Sequence, residues 1–324
     1  MGVEVTCPSP SGERCPEGVD EGASVAPAQV APSPLAPPPG GDGSIANCIR
    51  IATIRLQNAL ALAPREARLE AQVLTSRALG VNRAWLVAHD RDRPTPDQGQ
   101  AIEALITRRE RGEPVAYILG EREFYGRPFR VCPDVLIPRP DTELLIDAAL
   151  NFLPPDRPGR ILDLGTGSGC IAITLALARP DCEVLAVDNA EAALEIAADN
   201  ARLLRAHNVR FLLGNWCAPL GNTTFDLIVS NPPYIDESAP ELANGDLPHE
   251  PRSALTPGGD GLSAIRQIMA EARPHLRLGG QLMFEHGYDQ GPACRRLFIQ
   301  SGYRAVGTLR DLANHERVSI GELD

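Results

Sequence analysis

Lysine is absent from this chain. All 31 basic residues are arginine, and 42 acids bring the net charge to −11. Tight, non-specific nucleic-acid binding depends on an excess of cations that displaces counterions from phosphates, and so acidic a chain argues against it. No apolar run approaches the roughly 18 residues needed to cross a bilayer, and the first residues show no basic region followed by an apolar core. The expectation is a soluble, cytoplasmic protein. The eight cysteines (7, 15, 48, 132, 170, 182, 217 and 294) include no Cys-x-x-Cys pair and have no histidine at ligand spacing. Free thiols are expected rather than disulfides, and no metal site.

Charge and composition change along the chain. Residues 1–45 carry one arginine against six acids, residues 46–120 eleven against eight, and the remainder nineteen against twenty-eight. The middle stretch is thus mildly basic between acidic neighbours, suited either to docking an acidic partner or to being a solvated arginine-rich surface. Residues 1–43 hold nine prolines and no aromatic residue. Such a segment cannot offset an ordering cost of roughly 1–2 kcal/mol per residue, so it reads as a disordered extension.

Residues 44–114 have helical periodicity. One helix spans 49–63, a second starts at Pro64 and stops at Gly80, and a third is capped by Asn82 and turns Trp85 and Leu86 inward. Thr95-Pro96-Asp97-Gln98 forms a capping box for a fourth. Residues 115–131 read as two extended runs around Gly126, a hairpin linking the bundle to the C-terminal region, with the linker ending at 139. Residues 140–324 alternate regularly, with strands at 160–164, 183–187, 209–213, 225–230, 281–285, 303–309 and 317–322. Helices fall at 170–178, 190–204, 262–276 and 290–300. The pattern predicts an α/β fold: a seven-stranded, mostly parallel, Rossmann-like sheet covered on both faces.

Two strand ends carry chemistry. After the first strand, Asp163-Leu-Gly165-Thr166-Gly167-Ser168-Gly169 opens a helix, and the next strand ends at Asp188. Glycines let the backbone turn and approach a ligand, while Asp188 is placed to accept ribose hydroxyls. The spacing is Gly-x-Gly-x-Gly, with Cys170 where dinucleotide folds place their third glycine. S-adenosylmethionine, which has no pyrophosphate, fits better than NAD, and its sulfonium tolerates the acidic Asp163. Asn215 and Trp216 follow the third strand, where an adenine would lie. The fourth strand stops at Asn231-Pro232-Pro233-Tyr234, a rigid polar corner at the carboxyl edge of the sheet. A plain strand terminator is the alternative reading.

The combination resembles the bacterial and organellar methyltransferases of peptide chain release factors (PrmC/HemK) over residues 46–324. It rests on Gly120-Glu-Arg-Glu-Phe124, Ile137-Pro-Arg-Pro-Asp-Thr-Glu143, the loop at 163–169, Asp188, Asn231-Pro-Pro-Tyr234 and Asn314-His-Glu-Arg317. The resemblance implies a class I S-adenosylmethionine-dependent methyltransferase domain joined to a small helical substrate-docking domain. It implies methyl transfer to the side-chain amide nitrogen (N5) of the glutamine in a release factor's Gly-Gly-Gln tripeptide. It puts the cofactor on Gly165, Thr166, Gly167, Ser168, Gly169, Asp188, Trp216 and Asn231, and the substrate on Asn231, Pro232, Pro233 and Tyr234. Many relatives carry an acid where this chain has Asn215, a weaker acceptor for the adenine amino group.

An amide nitrogen is a poor nucleophile because its lone pair is delocalised, so placement must compensate. The Asn231 side-chain oxygen and the Pro232 carbonyl are the catalytic candidates, each accepting one amide N–H and aiming the nitrogen at the methyl carbon. His286, just past a strand end beside Glu285, either lines the cleft or is structural. Loop 235–261 is expected to cover the substrate. Two other functions stay open: a methyltransferase acting on exocyclic amines of DNA or RNA bases, since Asn-Pro-Pro-Tyr occurs there too, and a catalytically silent, methyltransferase-like binding subunit.

Overall fold

The computed structural model describes residues 42–155 and 157–324. The extension expected at the N-terminus, with Cys7 and Cys15, lies outside the described residues except for Asp42 and Gly43. The described chain opens with α1 (Ile45–Leu60), α2 (Pro64–Leu79), α3 (Arg83–Ala88) and α4 (Pro96–Glu110). Each start has a local cause. The Ser44 side chain accepts from Asn47 N–H at 3.3 Å and Asn82 from Trp85 N–H at 2.8 Å, while Thr95 and Gln98 cap each other reciprocally. Ile45, Ile49, Ala52 and Leu56 share one face of α1 and pack on Ala67, Leu74, Ile102 and Ile106. Arg55 fastens α1 to α4 through Glu103 at 2.7 Å and Glu110 at 2.5 Å.

The extended run expected from residue 115 is instead a helix, α5 (Val115–Leu119). Five apolar residues give no usable periodicity, and the ends decide: Pro114 precedes the turn and Gly120 closes it at φ +76°. Ala116, Tyr117 and Ile118 are all buried there. The hairpin proper is β1 (Glu121–Phe124) and β2 (Arg127–Arg130), paired antiparallel around Tyr125 and Gly126, both at positive φ. Asn200 clamps it to the sheet domain, accepting from Arg130 N–H at 2.7 Å and donating to Arg130 O and Ser168 O.

The sheet follows α6 (Glu143–Phe152). Its strands are β3 (Arg160–Leu164), β4 (Glu183–Asp188), β5 (Val209–Leu213), β6 (Phe225–Ser230), β7 (Leu276–Glu285), β8 (Arg304–Arg310) and β9 (Glu316–Glu322), in the order β5-β4-β3-β6-β7-β9-β8. The first five are parallel and β9 runs against both its neighbours. The helices between them are α7 (Cys170–Ala178), α8 (Glu191–Leu204), α9 (Arg252–Leu255), α10 (Ser263–Ala272) and α11 (Gly291–Gln300). Side chains alternate across the sheet. Ile161, Leu227 and Val229 face Leu145, Ile171 and Leu175 on one side, while Leu162, Ile228 and Phe284 face Ile265, Met269 and Phe298 on the other.

Several boundaries differ from expectation for physical reasons. The first helix runs over 45–60 rather than 49–63, because Ser44 caps it early and Ala61 leaves it at φ +53°. Pro274 has no N–H to continue α10, which ends in a 3-10 turn over Arg273–His275. β7 begins five residues early, at Leu276, because Gly279 at φ +75° and Gly280 absorb a bulge opposite Phe225–Leu227. The chain leaves edge strand β5 and returns beside β3 as β6, so the ligand crevice of an open α/β sheet opens at the carboxyl ends of these strands. Leu164, Asp188, Leu213, Ser230 and Glu285 all end strands on that edge.

Candidate functional site

The glycine loop is held from below. Gly165 and Thr166 N–H groups both donate to Val187 O, at 2.9 and 3.0 Å, and the Thr166 hydroxyl donates to Asp163 at 2.6 Å. Asp163 is fully enclosed beneath the loop, and burial pushes its carboxyl up to about 7, against the donors Thr166 and Ala172. Gly165, Gly167 and Gly169 all have positive φ. A Cβ on Gly165 would stand 3.4 Å from the Trp216 ring, so the bare backbone there is matched to a flat indole wall. Asp188 ends β4 and reaches across: one carboxylate oxygen accepts from Gly167 N–H at 2.8 Å, the other from Ala190 N–H at 3.0 Å. A carboxylate offers about four lone-pair sites, so acceptor capacity remains for a ligand.

These residues surround a cavity lined by Gly165, Thr166, Gly167, Ser168, Asp188, Asn189, Asn215, Trp216, Asn231 and Pro233. Its far wall comes from Val135, Leu136, Pro138, Arg139 and Thr142 and from Pro251, Ser253 and Ala254 of the long loop. Gly169 is not in this wall. It caps α7 at φ +80°, where a Cβ would strike Ile173 at 2.8 Å and Ala197 at 3.1 Å, so its glycine serves helix packing. Cys170 does line the cavity, with a thiol that burial pushes up to about 12 and therefore keeps protonated.

A second cavity lies on the other side of Asn231. Pro232, Tyr234 and Ile235 line it together with Leu62, Glu66, Glu70 and Arg109 of the helical region and Asn244, Gly245, Asp246, Leu247 and Leu255 of the loop. Leu136, Arg139, Asn231 and Ala254 belong to both cavities. The loop is tied down from two directions. Buried Arg109 bridges Glu70 at 2.9 Å and Asp246 at 2.8 Å, and buried Glu250 accepts from Ile137 N–H at 3.0 Å and from Arg139. Gly261, at φ +73°, lets the loop press on the backbone of Tyr234, whose carbonyl also accepts from Gln290 at 2.8 Å.

Asn231 donates through Nδ2 to the Thr142 hydroxyl at 3.1 Å, and its Oδ1 has no hydrogen-bond partner among the described residues. The Tyr234 phenol donates to Glu285 Oε1 at 3.0 Å. His286 is structural. Its Nδ1–H donates to Gly287 O at 2.8 Å, Nε2 accepts from Ser319 at 2.9 Å, and burial holds its pKa down. Among the described residues no three His, Cys, Asp or Glu side chains gather as a metal site, and no helix is long and apolar enough to span a membrane. In the sequence, Thr142 and Arg139 stand out only as parts of a proline-stiffened corner. Two prolines separated by one polar residue are the available sign that this corner is rigid enough to form a wall.

The chain matches two family models, the PrmC N-terminal domain over residues 50–120 and the Methyltransferase small domain over residues 141–266. It is 50% identical over 261 residues to the release factor glutamine methyltransferase of Bordetella pertussis, which covers 80% of this chain and 96% of that one. The protein of that name from Escherichia coli K12 is 45% identical, with 80% and 93% covered, and that from Coxiella burnetii 43% identical, with 84% and 98% covered.

Proposed function

The chain belongs to the release factor glutamine methyltransferase family, and from that premise we propose that its two cavities are the halves of one methyl-transfer site. The protein is an S-adenosylmethionine-dependent methyltransferase acting on a glutamine of peptide chain release factors. The cofactor takes the first cavity and the glutamine side chain enters through the second. One observation carries this reading: Asn231 lines both cavities and leaves Oδ1 without a protein partner among the described residues. The acceptor atom is the amide nitrogen, N5, of the glutamine in Gly-Gly-Gln.

The residues present fit S-adenosylmethionine. Gly165, bare of a side chain, lies against the Trp216 ring, Asp188 has acceptor capacity for two ribose hydroxyls, and Asn215 stands at the expected adenine edge. When bound, the cofactor supplies an electrophilic methyl carbon on a sulfonium sulfur. Asn231 Oδ1 and the Pro232 carbonyl each accept one N–H of the substrate amide, fixing its nitrogen in place without a strong base. Pro233 and Tyr234 form the wall beside it, and Pro251, Ser253, Ala254 and Leu255 wall the two cavities on the side of the long loop. The helical region, mildly basic and linked to the loop through Arg109, docks the release factor. A cytoplasmic location accords with such substrates.

The base-modifying alternative loses support from the relatives' names and from the chain's acidity, and the silent-subunit alternative from the intact loop, Asp188 and Asn231. The deciding experiment incubates the protein with labelled S-adenosylmethionine and purified release factor and maps the labelled peptide. Label on the Gly-Gly-Gln glutamine supports the assignment. Label on a DNA or RNA amino group, with the release factor unlabelled, overturns it.

A further inference from the structure

Behind Asn231 lies a buried carboxylate with no part in holding the cofactor or the substrate amide. Glu285 ends β7 on the same sheet edge, one register step beyond the Ser230–Phe284 pair, and is 1% exposed. Its Oε1 accepts from Tyr234, while Oε2 is buried with no hydrogen bond among the described residues. The Thr142 hydroxyl, itself 2% exposed, faces this carboxylate and favours its charged form, and the Thr142 oxygen receives Asn231 Nδ2.

We propose that Glu285 is a positioning residue that sets the direction of a hydrogen-bond chain through Thr142, turning the Asn231 side-chain oxygen toward the substrate amide. This rests on the function proposed above. The Thr142 hydroxyl proton has no acceptor, and Glu285 Oε2 no donor, among the hydrogen bonds of the described residues, so an ionised carboxylate, which can only accept, draws the single Thr142 O–H toward it. The Thr142 oxygen is then left as an acceptor, and Asn231 must present its NH₂ to it. The flipped amide would set two acceptors against each other. The only orientation that satisfies every group leaves Oδ1 for the substrate N–H, and the chain ends on a negative charge that polarises each member toward Glu285. Tyr234 is fixed by the same carboxylate, so the acceptor and the wall of the substrate cavity share one anchor.

The chain works in this sense only while Glu285 is charged. Burial raises its pKa and the Asp141 carboxylate raises it further, against Thr142, Tyr234 and Arg317 of β9; the Cys170 thiol at the start of α7 also faces it. A protonated Glu285 is itself a donor and permits the reverse chain, so transfer falls as pH drops through its pKa.

The test is single-turnover methylation of purified release factor by the full-length enzyme, at saturating concentrations and over a pH series. Glu285→Gln, Thr142→Val and Thr142→Ser are compared, with melting temperature and S-adenosylmethionine affinity measured for each. Glu285→Gln and Thr142→Val should each slow transfer about 10- to 100-fold, the scale of one charge-assisted hydrogen bond, with affinity within about twofold of the parent. Glu285→Gln should also lose the acid limb of the pH profile, the double variant should be no slower than the slower single, and Thr142→Ser should stay near the parental rate. An unchanged rate in Thr142→Val, or a retained acid limb in Glu285→Gln, overturns the proposal even if one variant folds poorly. If the parental enzyme transfers no methyl to the release factor, the substrate assignment fails and the proposal with it, a result distinct from either of those.

Discussion

Replacing Asp188 with alanine separates the loop-bracing role that the structure shows from the cofactor-binding role proposed for the same carboxylate. Its oxygens hold Gly167 N–H at 2.8 Å and Ala190 N–H at 3.0 Å, and the same group lines the first cavity, the one proposed to take the cofactor. Hydrogen bonds to a charged group are worth about 1.5–3 kcal/mol. The site is half-exposed, so water replaces part of what the two backbone donors lose, and the loop should cost about 1–2 kcal/mol of stability. For a domain of this size that lowers Tm by roughly 2–8 °C. Loss of the ribose acceptor should weaken S-adenosylmethionine binding by about 1.5–3 kcal/mol more, or about 10- to 150-fold in Kd. Titration calorimetry and scanning calorimetry on the same preparation give both numbers. A lowered Tm with unchanged Kd would make Asp188 a loop brace and remove it from the cofactor site.

Three further outcomes are expected. Asn231→Ala should slow single-turnover methylation by roughly a hundred- to a thousandfold while release-factor affinity changes far less; an unaltered rate would refute the amide-holding role. Gly169→Ala should destabilise the protein by about 2 kcal/mol or more, from positive φ and the clash with Ile173 and Ala197, measured by denaturant titration; an unchanged midpoint would show that α7 gives way freely. Asp163, raised from 3.8 to about 7, binds its proton more tightly folded than unfolded, so its contribution is fully present below about pH 4 and lost as pH rises through 7. Asp163→Asn should flatten that decline in calorimetric scans, and an identical slope would rule the residue out as its source.

The sequence determined the strands of the sheet and pointed to most of the residues that line the two cavities because those features are local. A strand buried on both faces is apolar along its length, and Leu227–Val229 shows it directly, while Ile161–Leu164 departs from it only at the buried Asp163. Glycines that need positive φ, as at 165 and 167, and prolines that stop a strand, as at 232 and 233, declare themselves one residue at a time. The run at 115–119 was not legible in this way, since a short apolar stretch fits helix or strand, and Pro114 and Gly120 decide only when both ends are read together. Gly169 looked like its neighbours in the loop, yet its surroundings, Ile173 and Ala197, come from α7 and α8. Tertiary structure alone placed Thr142, 89 residues from Asn231, at hydrogen-bond distance from it. It also brought Arg109 to Asp246, 137 residues away, and set Glu285 behind the Asn-Pro-Pro-Tyr corner. Such partners meet because parallel strands end on one edge of the sheet, and strand adjacency depends on crossovers whose pairing is absent from local periodicity.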